Sequence, residues 1–191
     1  PGLDQTRAGG SVISQDLLDE LWDFSDPKGS EQRLRAADTN RFALRTDRNE
    51  LATQIARALG MQSRFAEALD LLERIDDGEP VVLARLLLER GRILNASGHR
   101  AEAVGLFEDA AHLAAEIGQD FIAVDAMRMV GQADPSLAEE WAESGLAVIA
   151  RSQDARLERW ARDFHTDLGD AMYDGGAGQG ASGRSQQGRD G

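Results

Sequence analysis

Residues 91–110 read GRILNASGHRAEAVGLFEDA. Ile93 and Leu94 close one apolar helical run, Ser97-Gly98-His99 makes a turn, and Ala103, Phe107 and Ala110 resume apolar spacing at three and four residues. Gly91, Ala103 and Ala110 put small side chains on faces that should otherwise be bulky. Two consecutive helices pack closely where small side chains let their backbones approach, and glycine relieves the turn between them. The stretch therefore predicts a tightly packed helical hairpin.

Outward from it the apolar pattern stays helical, with no convincing period-2 strand. SQDLLDELWDF opens with Ser14 as N-cap and Asp16 in the first turn, which predicts a helix to about Phe24. SDPKGS should break it, and EQRLRAAD should form a shorter helix. Amphipathic runs follow at roughly 41–61, 64–76, 80–97, 100–117, 119–131, 135–150 and 154–174. Linkers of two to five residues make neighbouring helices antiparallel. Residues 1–12 and the glycine-rich 177–191 are too poor in apolar side chains to offset ordering entropy, and both are expected to be disordered.

Sliding the chain by 35 residues superposes Leu59, Leu94 and Met129, and likewise Ala56, Gly91 and Ala126. In the following helix Ala68, Ala103 and Ala138 coincide, as do Leu72, Phe107 and Ala142, then Ile75, Ala110 and Gly145. A partial fourth unit, with Met172 against Leu94 and Gly176 against Gly98, follows at a shift of 78. A fixed period of this length is the mark of stacked supersecondary units.

On these residues the chain resembles the tetratricopeptide repeat family, whose unit is a helix–turn–helix of about 34 residues. LGMQSRFAEALDLLERIDDGEP carries the pattern as well as residues 91–110 do; Pro135 in an aromatic slot and Gly145 in an alanine slot depart from it. The resemblance implies an all-α fold of antiparallel helix pairs stacked in a right-handed superhelix. It divides a single domain at 13–174 into capping helices at 13–38, repeats at about 49–83, 84–118 and 119–153, and a half repeat at 154–176. Leu17, Leu18, Leu21 and Trp22 of the first capping helix are expected to cover the apolar face of the first repeat.

Composition narrows the function. A formal charge of −13 disfavours nucleic acid and anionic membrane surfaces. No run is long and apolar enough to span a bilayer, and the N-terminal residues lack a basic region followed by an apolar core, so the expectation is a cytoplasmic protein, bacterial by its family resemblance. The absence of cysteine removes thiolate metal sites and cysteine nucleophiles. His112 and Glu116 share a helical face but have no further ligand nearby in sequence, GGAGQG follows a helix rather than a strand, and DFSDPKGSE lacks the glycine of a calcium loop. The reading is non-enzymatic, with no catalytic residue, metal or cofactor.

The family resemblance implies that the first helix of each pair lines a concave groove holding a protein or peptide partner. It maps Glu50, Thr53, Arg57 and Met61 there, then Arg85, Leu88, Glu89, Arg92 and Asn95, then Asp120, Ala123, Val124 and Met127, and finally Asp163, Thr166, Asp170 and Tyr173. Arg57, Arg85, Arg92 and Asn95 are the first candidates for contact. The three guanidiniums fit an acidic partner, unless Glu50 and Glu89 neutralise them locally. Charge reversal at Arg57 and Arg92 should then abolish binding without lowering thermal stability. Thr53 and Arg57 stand where the chaperone-tail binders of the family carry lysine and asparagine, so that activity is not expected. The alternative is a self-assembling or regulatory module, a homodimer for instance, joined through Trp160, Phe164 and Leu168 at the truncated end.

Overall fold

The computed structural model describes residues 13–41, 45–76 and 78–166. The expectations placed on 1–12, 177–191, Leu168, Asp170, Met172, Tyr173 and Gly176 lie outside the described residues. Among those described, every regular element is a helix. They are α1 (Gln15–Leu21), α2 (Pro27–Arg41), α3 (Arg45–Met61), α4 (Phe65–Glu73), α5 (Pro80–Ala96), α6 (Arg100–Glu116), α7 (Asp120–Ala133), α8 (Ala138–Arg151) and α9 (158–166). None of them is long and apolar enough to cross a membrane.

Local chemistry sets the ends of these helices. Ser14 accepts the Leu17 N–H at 3.3 Å and starts α1, as its sequence indicates. α1 stops at Leu21, short of Phe24, because Trp22 turns extended and donates its indole N–H to Gln54 Oε1 on α3 at 3.2 Å. SDPKGS both separates two helices, as expected, and opens the second of them. Asp26 Oδ1 accepts the Gly29 N–H at 2.9 Å and Pro27 supplies a preset φ at the first helical position, so α2 begins four residues before EQRLRAAD. Three helices end alike, in a left-handed residue: Ser63 (φ 59°) after α3, Gly98 (φ 94°) after α5 and Gly118 (φ 71°) after α6. In each the next N–H reaches back five residues, Arg64 to Leu59, His99 to Leu94 and Gln119 to Ala114, which satisfies a carbonyl the helix end leaves open. Before α8, Asp134 accepts from the Ser136 N–H and a 3-10 turn at Pro135–Leu137 replaces the first turn expected from residue 135.

Consecutive helices pack on one another from α2 to α8, and α3, α5 and α7 also pack side by side. The crossings are made by small residues. Ala68, Ala103 and Ala110 are fully buried. A Cβ built on Gly91 would stand 2.6 Å from the Phe107 ring, one on Gly145 would stand 2.5 Å from Phe164, and one on Gly131 would stand 3.1 Å from the Ala138 backbone. The core falls into two clusters that meet near Ile75. One runs from Val81 through Phe107 to Phe164, and the other joins Ile13, Leu18 and Leu21 to Leu51, Ile55 and Leu59 of α3. Leu18 and Leu21 of α1 and Leu34 of α2 belong to the same cluster as these α3 residues.

Candidate functional site

A cavity of about 210 Å³ opens where α3, α5 and α7 lie side by side. Its floor carries Gln54 and Arg57 from α3, Arg85 and Glu89 from α5, and Ile122 and Asp125 from α7. Trp22 and Phe24, just beyond α1, form one wall, and Phe121 and Trp160 form the other. The Trp22 and Phe24 rings stack 5.0 Å apart at 8°, while Phe121 and Trp160 meet edge to face at 5.9 Å. Both geometries suit the quadrupoles of aromatic rings.

Three acids and three arginines are packed around this floor. Glu50 is fully buried, takes the Arg85 Nε–H at 2.6 Å on Oε1 and the Ile13 N–H at 3.2 Å on Oε2. Arg92 donates one nitrogen to Glu89 Oε1 at 2.7 Å and another to Asp125 Oδ1 at 2.5 Å. Arg57 differs from both. Among the described residues it has neither a hydrogen bond nor an ion pair, and its guanidinium lies 5.5 Å from the Trp22 ring centroid and 5.1 Å from that of Phe24. Burial first, and the nearby Arg92 charge second, lower its pKa from the ordinary guanidinium value, against the opposing pull of Glu89 and Asp125. Burial would raise the Asp125 carboxyl, but the Arg92 and Arg57 charges and the Arg92 hydrogen bond outweigh it and hold Asp125 below its ordinary value of 3.8.

That depression has a sign in stability. The unfolded chain takes up the Asp125 proton at a higher pH than the folded one, so this contribution is complete above pH 3.8 and is lost as pH falls below it. Urea unfolding between pH 5 and pH 2 should show an acid loss in the wild type that is smaller in Asp125→Asn. Equal acid slopes would contradict the pairing.

Two polar atoms on lining residues lack a partner among the described residues: Glu89 Oε2, on a residue 1% exposed, and the Trp160 indole nitrogen. A buried group left in this way costs about 1–3 kcal/mol, so each is an unmet demand for a hydrogen bond.

The structure separates the residues grouped in sequence. Arg57 and Arg85 line the cavity, whereas Arg92 stands behind it, tied to two acids that do line it. Asn95 is half-buried with Oδ1 lacking a partner among the described residues, and does not line the cavity. Glu50, Thr53, Ala123, Val124 and Met127, mapped to an open groove, are buried. Ile13 caps Glu50, and the Thr53 hydroxyl donates to the Glu50 carbonyl at 2.6 Å. Trp160 lines the same cavity as Arg57 and Arg85. Phe164 is 2% exposed and fills the space beside Gly145, so an acid there would test folding and not association. His112 lies against Trp141, ring centroids 5.4 Å apart. Among the described residues no group of three or more histidines and acids could hold a metal ion.

Sequence reasoning missed the aromatic walls and Asp125. It had a usable sign of one ion pair: Glu50 and Arg85 are 35 residues apart, the repeat period itself. No family model, curated relative or solved structure matches the chain.

Proposed function

We propose that the chain is a non-enzymatic scaffold of the tetratricopeptide type, with α3/α4, α5/α6 and α7/α8 as right-handed stacked units, that holds a segment of a partner protein against the face shared by α3, α5 and α7. The cytoplasm is the compartment that fits this reading. The 35-residue recurrence, the repeated left-handed helix ends at Ser63 and Gly98, and the side-by-side packing of α3, α5 and α7 support the architecture. The observation that carries the binding role is Arg57, a guanidinium with no hydrogen bond among the described residues, set at a cavity between two aromatic walls. Half-buried beside two aromatic rings, this guanidinium has its donors open to a ligand.

Support for an acidic partner is narrower than three free cations would give. Arg85 and Arg92 already hold Glu50, Glu89 and Asp125. Affinity purification with cross-linking tests the scaffold reading. Partners captured by the wild type should cross-link to α3, α5, α7 or the Trp22–Phe24 segment, and Arg57→Met and Phe24→Ala should each lose them while keeping the wild-type helical spectrum. Phe24 is 57% exposed, so its removal spares the core. Cross-links confined to other faces, or unchanged capture by both variants, would refute this function.

A further inference from the structure

The six ionic groups at the cavity floor sum to zero. Glu50, Glu89 and Asp125 are balanced by Arg85, Arg92 and Arg57. Glu50 and Arg85 neutralise each other, and Arg92 faces two acids. Arg57 supplies the remaining positive charge through space, without a hydrogen bond to any of them. Charge is therefore satisfied while hydrogen bonding is not. The Trp160 indole offers an N–H without an acceptor, Glu89 Oε2 is an acceptor without a donor, and the half-buried Arg57 guanidinium makes no hydrogen bond among the described residues.

An occupant must meet both needs without adding charge. A carboxylate would serve the two donors but leave a buried excess of negative charge beside Glu89 and Asp125, in a chain whose formal charge is already −13. At the rim Asp19 and Asp163 stand with Arg159, and Arg128 lies 5.4 Å from the Trp160 ring, so the rim adds no net charge. An ammonium would serve Glu89 but face Arg57. A carboxamide does both: its carbonyl accepts from Arg57 or Trp160 and its N–H donates to Glu89. The aromatic pairs on either side suit the apolar part of such a ligand, and a cavity of about 210 Å³ admits one side chain of that size.

We propose that this cavity binds an uncharged carboxamide, the side-chain amide of a glutamine or asparagine presented by the partner segment next to an apolar residue. The proposal rests on the scaffold reading for the source of the amide, and it replaces the acidic partner with a neutral one.

Three capped dipeptides, N-acetyl-Leu-Xaa-N-methylamide with Xaa glutamine, glutamate or diaminobutyrate, share a backbone and end one side chain in an amide, a carboxylate or an ammonium. Indole N–H resonances of the full chain report their binding. Trp22 and Trp160 line the cavity and Trp141 does not, so the third tryptophan is an internal control. The glutamine peptide should shift Trp160 and spare Trp141, binding about tenfold tighter than either charged analogue, the discrimination expected of one well-made buried hydrogen bond. Arg57→Met leaves the cluster negative and should move the preference to diaminobutyrate; Glu89→Gln leaves it positive and should move it to glutamate. Either variant, if folded, suffices, and the wild-type order stands without them. Tighter or equal binding of the glutamate peptide by the wild type, no shift of Trp160 with any of the three, or an order unchanged in a folded variant would overturn the assignment. Its failure differs from failure of the scaffold reading: partners cross-linked to this face with glutamate preferred sink the amide alone, whereas cross-links elsewhere sink the scaffold whatever the peptides do.

Discussion

Arg92→Met is expected to lower the free energy of unfolding by about 3–5 kcal/mol, because it strands two buried carboxylates. Asp125 and Glu89 are 5% and 1% exposed, and Arg92 is the hydrogen-bond donor to both. Domains of this size have only about 5–15 kcal/mol in total, so the variant should unfold at far lower urea concentration. A change in pH dependence should accompany the loss. In the wild type Asp125 is held low and contributes stability above pH 3.8. Without Arg92, burial raises it instead, and the variant should gain stability as pH is lowered from neutrality toward 5. The triple variant Arg92→Met, Glu89→Gln, Asp125→Asn removes the stranded charges and should recover most of the loss. A single variant that unfolds like the wild type would contradict the buried network. The charge reversal at Arg92 that the sequence suggested as a harmless probe of binding is for the same reason a folding variant.

Phe107→Ala should cost about 3–5 kcal/mol, the usual range for deleting a fully buried aromatic. Phe107 is 0% exposed and reaches across from α6 into the space that Gly91 leaves on α5. The pair makes a sharper test than either residue alone. Gly91→Ala should destabilise by roughly 1–3 kcal/mol through overpacking, although alanine ordinarily stabilises a helix interior relative to glycine by about 1 kcal/mol. Gly105→Ala, with no atom within 4 Å of the new Cβ, should show that ordinary gain. In the Phe107→Ala background the ring is gone, and Gly91→Ala should turn from costly to favourable. Additive effects, or equal behaviour of Gly91→Ala and Gly105→Ala in urea titrations, would mean that the two helices do not approach as described.

The helices and their order were legible from residue spacing, since helix formation and apolar patterning are local. Ser14 and Gly98 marked ends that the structure keeps. The errors were at boundaries set by contacts distant in sequence. α1 ends early because Trp22 bonds to Gln54, 32 residues on, and Asp26 acts as a cap once Pro27 has set the backbone direction.

Of the candidate site, Arg57 was read as a cation at the groove, and it lines the cavity there. Arg85 and Arg92 had the same appearance in sequence, yet unlike Arg57 both are tied into ion pairs. Charge carries no periodic trace of its partner. Which carboxylate meets a given guanidinium depends on how far neighbouring helices are offset and how far a side chain reaches, and these are properties of the packed stack. That Arg92 takes Asp125 at a separation of 33 residues, not the period of 35 at which Arg85 takes Glu50, shows the point. Helical class and the small-residue crossings follow from local pattern. The pairing of charges, the placement of α1 across α3, and the union of Trp160 with Arg57 in one cavity arise from long-range packing, where geometry in three dimensions decides which buried polar groups are satisfied and which are left open.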